Sequence, residues 1–554
     1  KKNSKYSYAT CIKLQQRKMN KIFLSQLREI KKDSIKFKKE IKGSKKNITK
    51  NNNNFFIDTE NLFFDFSRNI INDKSLNNLV KLVEIIDVKN NFKKLCSGDL
   101  VNISEQRKVL HPAMRNTTFS LDSNIKDDIL RHKAVLKKIS EDINSGRKKS
   151  FSNKKFTDVV SIGTGGSYFG IKMLYAALKN FATNNINLHF ISNLDSSECK
   201  DVLQKLDPET TLFILVSKSF STVETLENAR KVKVWFNKKH KGENIMANFL
   251  AVTENQDAAL KFGIADDSII KLWDWIGGRY SIWTGVSIGL IITIGYKNFS
   301  KFLDGANAGD KHFLNNKPKN NIPMIMALLS FYYTRFFNAQ SHHISPYNYR
   351  LRFLKEHLQQ LEMESNGKSI DQDGKFFSHV SGNIIWGATG SCSQHSFYQL
   401  LHQGNTFIPS DFIISSKSDS GNQDNHDKLF SNYLSHIEIL NNGFSGKESE
   451  KLYEERFSNL ELDKKLVIKN LSLPGRKPTN AFLLKSMSPE AIGELLSYYE
   501  HKTYVLGLLS NINSFDQWAV EIGKIKANDI YNDIKAIKKK KKKTNNMLLN
   551  KYLN

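Results

Sequence analysis

Cysteine is scarce: four residues in 554, at positions 11, 96, 199 and 392, with no CxxC pair among them. That spacing excludes a zinc ribbon and a disulfide-stapled scaffold, and it fits a reducing, cytoplasmic setting. Long apolar runs are also missing. The longest nearly apolar stretch, 281–296, is 16 residues, short for a membrane span, and no secretory apolar core is visible near the N-terminus. Acid is nearly absent from both ends. Residues 1–54 hold 17 Lys/Arg against 3 Asp/Glu, and residues 535–554 hold 8 lysines and no acid. The ends therefore carry +22 of the net +28. Blocks of like charge read as solvated tails, and these lack the interleaved aromatics of a nucleic-acid stacking surface. No nucleic-acid partner, membrane or metal is expected.

What remains is long enough for two or more domains, and 40% hydrophobic residues allow a sizeable core. Residues 1–54 form a Lys/Asn-rich, low-complexity extension. Residues 61–95 repeat apolar positions every three to four and are predicted helical. Short apolar strands are then predicted at 156–163, 187–195, 211–219 and 248–254, alternating with helices at 167–181 and 223–236. That alternation implies a doubly wound parallel sheet. Beyond 298, helices are predicted at 322–339, 347–364, 394–403 and 489–509, with strands at 382–386 and 407–414. This reads as a second α/β unit.

Two strand-to-helix junctions carry the chemistry. After the apolar run 213–216 come Ser217, Lys218, Ser219, Ser221 and Thr222. Ser221 with Glu224 fits a capping box, but capping leaves Ser217, Lys218, Ser219 and Thr222 unexplained. Ligands bind at the carboxyl ends of parallel strands, where helix starts offer free N–H groups and a positive dipole. The stretch therefore reads as a phosphate cradle. The strand at 156–163 ends in "GTGGSYFG", whose glycines allow close backbone approach. Tyr168 stands where a dinucleotide fingerprint needs glycine, and there is no Walker lysine. Two such loops suggest one small phosphorylated ligand between them.

The segments "NISEQRKVLHPAMRN", "IGTGGSYFG", "SKSFSTVET", "WDWIGGRYS", "LQQLEMESNGK", "QHSFYQLLHQG" and "NINSFDQWAVEIGK" occur in this order. Together they resemble the phosphoglucose isomerase family over about 61–524. The resemblance implies two sugar-isomerase (SIS-type) α/β domains, 117–297 and 298–534, with a helical N-terminal segment, 55–116, and a C-terminal arm ending in the Lys-rich 535–554. It implies a homodimer that interconverts glucose 6-phosphate and fructose 6-phosphate without a cofactor. Glu364 matches the carboxylate base and Arg279 the cation that stabilises the enediolate. His395 matches the ring-opening histidine, expected to reach the neighbouring subunit's site, and Lys524 the lysine that assists it. Substrate contacts carry over to Gly166, Ser167, Ser217, Lys218, Ser219, Thr222, Thr225, Gln360 and Gln517. Gln360 and Glu364, four residues apart, share one helical face.

The chain departs from the family pattern at 387–395. "GATGSCSQH" puts Ala388, Thr389, Ser391, Cys392 and Ser393 in place of the usual Glu, Pro and Thr-Asn-Gly. Ser219 and Ser221 replace threonines, and Thr164 an isoleucine. The catalytic groups remain, so an active isomerase is expected. A weakened sugar-phosphate-binding regulator of the same fold is the alternative that the altered loop keeps open.

Overall fold

The computed structural model describes residues 8–43 and 54–553, apart from 117, 239, 462 and 541–544. It divides into two units, 1–514 and 515–554.

The first unit holds two sheets. Strands form at β1 (Phe56–Asp58), β2 (Leu62–Asp65), β3 (Asp158–Ile162), β4 (Asn187–Ile191), β5 (Thr211–Val216), β6 (Phe249–Thr253) and β7 (Ile269–Lys271). Four more follow: β8 (Ser341–Pro346), β9 (Ile384–Gly387), β10 (Ser410–Ser415) and β11 (Thr479–Leu484). One sheet is wholly parallel, in the order β4-β3-β5-β6-β7. Its central strand β5 is buried along its full length, as a strand covered by helices on both faces must be. The other sheet runs β1-β2-β11-β10-β8-β9, parallel from β11 to β9. The expected pair of α/β layers is present.

The N-terminal segment differs from the helical reading of 61–95. Residues 56–65 form an antiparallel hairpin, β1–β2, and β2 adds to the second sheet antiparallel to β11. Leu62 and Phe64 alternate inward at a period of two, with Phe64 against Phe482. Helices follow at Asp73–Ile85 and Val88–Ser97. The helix Asp73–Ile85 is capped by Asn72, whose side chain accepts from the Ser75 amide.

The basic N-terminal stretch also departs from the solvated-tail reading. Residues Tyr8–Gly43 form one helix. Ile30, Ser34 and Phe37, spaced along one face, are buried. Gln26 donates to the Asn78 carbonyl at 2.9 Å, and Asp33 takes Lys74 at 2.9 Å and the Asn78 amide at 2.7 Å. Lys38 bonds the Phe336 carbonyl. Lys21, Lys31, Lys32, Lys36 and Lys39 stay exposed on the outer face of a docked helix. Phe37→Ala is expected to lower unfolding stability by about 1.5–3 kcal/mol, the value of one buried large apolar side chain, with turnover unchanged. Chemical unfolding beside a steady-state assay checks this, and an unchanged midpoint would return the helix to the status of a tail.

The second unit contains the helices Trp518–Lys540 and Met547–Leu553.

Candidate functional site

The glycine loop, the loop holding Arg279 and the helix of Glu364 meet in the first unit. Arg279 lies on the short 3₁₀ helix Gly278–Trp283 and is only 2% exposed. Gly166 abuts that turn so closely that a Cβ there would sit 2.2 Å from the Gly278 carbonyl. Gly165 has φ +58°, and a side chain there would press on the Gln360 amide at 3.2 Å. This answers why two glycines stand together: the strand end must touch two other segments of backbone and side chain. Ser167 closes the same short turn.

Glu364 ends the π turn, Gln359–Glu364, into which the helix begun at Leu354 widens. Such widenings are rare and recur at functional sites. The expected shared face is present: Gln360 Nε2 donates to Glu364 Oε2 at 2.9 Å. On the other oxygen, Arg279 Nη1 stands 3.3 Å from Glu364 Oε1. The Glu364 side chain keeps 23% of its surface open, whereas that of Arg279 keeps 1%. A carboxylate thus faces an opening, with a sequestered cation fixed beside it. Such a pair can remove a proton and stabilise the oxyanion left behind.

Behind Arg279 lie groups that the sequence did not single out. Its Nε donates to Ser365 Oγ at 2.6 Å and its Nη2 to the Ser514 carbonyl at 2.7 Å. Tyr280 Oη is 3.0 Å from the same Ser365 oxygen, and its ring stacks on His111 at 4.6 Å. Burial, with Arg115 nearby, holds His111 well below the usual histidine range. His111 lies in "VLHPAMRN", Tyr280 in "WDWIGGRYS", Ser365 in "MESNGK" and Ser514 in "NINSFDQWAVEIGK", but only the fold shows them as neighbours.

The hydroxyl loop follows β5. The helix Val223–Asn237 starts from Thr222, whose side chain makes no capping bond. The capping box read from Ser221 and Glu224 is not formed: the cap residue is Thr222, one position later, and the Ser221 hydroxyl bonds Ser219 Oγ at 2.7 Å. Ser217 Oγ and Thr222 Oγ1 lie 3.0 Å apart. Thr225 Oγ1 is buried without a partner on the first turn. The first-turn amides of a helix have no intrahelical acceptor, so this end presents N–H groups and hydroxyls together. Phe220 takes a left-handed φ of +51° to turn the chain there. The Lys218 side chain is engaged within the chain itself. Its ammonium donates to the Asp274 and Ile276 carbonyls at 2.7 and 3.0 Å, tying the hydroxyl loop to the segment before Arg279. Burial lowers its pKa.

His395 is exposed, just beyond the short helix Gly390–Ser393. In the altered loop Ser393 Oγ bonds back to the Thr389 and Gly390 carbonyls, at 2.9 and 3.1 Å. Cys392 is exposed there as a free thiol. Lys524 and Gln517 belong to the second unit, where Lys524 Nζ pairs with Glu521 at 2.7 Å. Among the described residues there is no cluster of three metal-ligating side chains and no helix long and apolar enough to cross a membrane.

Residues 65–548 match the family model described as phosphoglucose isomerase. The glucose-6-phosphate isomerase of Buchnera aphidicola (subsp. Cinara cedri) is 43% identical over 486 residues, 87% of each chain. That of Francisella tularensis (strain SCHU S4) is 40% identical over 503 residues, 89% of this chain and 92% of its own. The crystal structure of a glucose-6-phosphate isomerase from Chlamydia trachomatis superposes with a TM-score of 0.78 at 28% identity, covering 92% of this chain and 96% of that one.

Proposed function

The chain belongs to the phosphoglucose isomerase family, and from that premise we propose how its residues interconvert glucose 6-phosphate and fructose 6-phosphate. The reaction is an aldose–ketose isomerisation. A proton leaves C2 of the open-chain aldose, an enediolate forms, and a proton returns at C1. Glu364 is the base that carries the proton between the two carbons. Arg279 stabilises the enediolate, because its guanidinium is buried, charged and already placed. The observation that carries this assignment is the Glu364 carboxylate held between Gln360 at 2.9 Å and Arg279 at 3.3 Å.

Ser217, Ser219, Thr222 and Thr225 hold the phosphate at the start of the helix Val223–Asn237, where dipole and free amides favour a dianion. Lys218 fixes this loop through backbone carbonyls, and Gly166 and Ser167 line the sugar. His395 opens the sugar ring from the neighbouring subunit of a homodimer, with Lys524 and Gln517 contributing from the C-terminal arm. The exposure of His395 supports that reading. Two sugar-isomerase domains, 117–297 and 298–534, and a cytoplasmic setting complete the proposal. Cys96, Cys199 and Cys392 are free. No observation favours the alternative of a weakened regulator.

A coupled assay tests the activity directly: fructose 6-phosphate supplied, glucose 6-phosphate read through its dehydrogenase. Turnover is expected, and its absence in folded protein would overturn the reading. The phosphate site has its own test. Thr222→Ala removes one hydrogen bond to a charged group, worth about 1.5–3 kcal/mol. KM should rise roughly ten-fold or more with kcat less affected. Inorganic phosphate should inhibit the variant less than the wild type; equal inhibition would place the phosphate elsewhere.

A further inference from the structure

Arg279 and Glu364 are oppositely charged and only 3.3 Å apart. That is wider than a charge-assisted hydrogen bond of about 2.7–2.9 Å, a gap that a flexible arginine in that position would close. It would then neutralise the base instead of waiting for the enediolate. Something must hold the guanidinium still. The Ser514 carbonyl holds Nη2, and Ser365 Oγ holds Nε.

We propose that Ser365 is a positioning residue, whose hydroxyl fixes the Arg279 guanidinium for the enediolate and keeps it from collapsing onto Glu364. The inference rests on the roles proposed above for those two residues. Ser365 is fully buried and next in sequence to Glu364. Tyr280, next in sequence to Arg279, reaches the same oxygen at 3.0 Å. The base and the cation are therefore bound together by their own neighbours: 364–365 is tied to 279–280 through one hydroxyl. The His111 ring backs the Tyr280 ring, so the tie is anchored from behind. An arginine side chain otherwise has much rotamer freedom to lose. A donor already in place needs no reorganisation when charge develops.

The test separates the enediolate from the rest of the substrate. Two ligands serve: 5-phosphoarabinonate, whose carboxylate copies the enediolate, and sorbitol 6-phosphate, which carries the phosphate without an anionic head. In Ser365→Ala, kcat should fall about 10–100-fold, the scale of a small misplacement in a site, while KM stays within about threefold. Affinity for 5-phosphoarabinonate should fall by a similar factor as kcat, and affinity for sorbitol 6-phosphate should not change. Tyr280→Phe keeps the ring and removes the second bond to Ser365. It should show the same selective loss, smaller in size, and it decides the matter if Ser365→Ala does not fold. Ser365→Thr, which keeps the hydroxyl, should recover most of the loss. Equal weakening of both ligands, or wild-type kcat in Ser365→Ala, overturns the positioning role. Inactive wild-type protein would instead overturn the functional reading on which it rests.

Discussion

Glu364→Gln should lower kcat by about 10²–10⁴-fold, the usual loss when a general base is removed. The substitution preserves shape and keeps a partner for Gln360, so the loss would report the missing base. It also deletes the negative charge facing Arg279. Arg279 would then lose the Glu364 countercharge, and binding of an anionic enediolate mimic should hold or tighten. Sorbitol 6-phosphate binding should stay near wild type, because the hydroxyl loop at 217–225 is untouched. Steady-state kinetics with inhibitor titration measures all three quantities. Near-normal turnover would place the base on another residue.

The second large effect concerns stability. Arg115, at the end of the short turn His111–Met114, is fully buried between two carboxylates. Its Nη1 meets Asp310 at 2.7 Å, on the helix Tyr296–Asn315, and its Nη2 meets Glu500, on the helix Pro489–Leu509. Trp283 Nε1 donates to Glu500 at 2.8 Å and His501 bonds Asp310 at 2.7 Å. Arg115→Leu removes the cation and leaves two buried acids facing each other. Breaking a buried pair on one side costs about 3–5 kcal/mol. Urea unfolding of Arg115→Leu against wild type should show that loss at unchanged m-value. A loss under about 1 kcal/mol, in the range of an exposed pair, would mean that the network contributes little. His111 belongs to the same turn and backs Tyr280, so residual folded protein should also lose turnover.

The strands of the first sheet were legible because their apolar runs are continuous. β5 is buried at every position, and no face needed to be guessed. The N-terminal hairpin was not, because "NLFFDF" runs straight into a true helix and its period of two is only a few residues long. β8 was hidden by polarity. "SHHISP" looks like a loop, but His342 pairs with Asp411 at 2.9 Å and His343 with Ser410 at 3.2 Å inside the sheet. The Lys-rich helix was hidden by its charge, which outweighs the buried row Ile30, Ser34 and Phe37. At the site, Glu364 and Arg279 were recognisable from their motifs. Ser365 was not, because a serine beside a glutamate carries no signal until the fold brings residue 279 against it.

The second sheet joins segments that lie far apart in time of synthesis as well as in sequence. β2 pairs with β11, and Asn69 donates to the Thr479 carbonyl, 410 residues further on, at 3.1 Å. A ribosome releases the hairpin about 410 residues before its docking strand. The first sheet, enclosed within 158–271, can close early in synthesis, as domains generally do. Leu62 and Phe64 must wait, with an unpaired strand edge beside them, until β11 emerges. At the usual 5–20 residues per second that wait is on the order of 20–80 seconds. The nascent hairpin, more than any segment of the finished enzyme, is where a chaperone that binds short apolar strands would be needed.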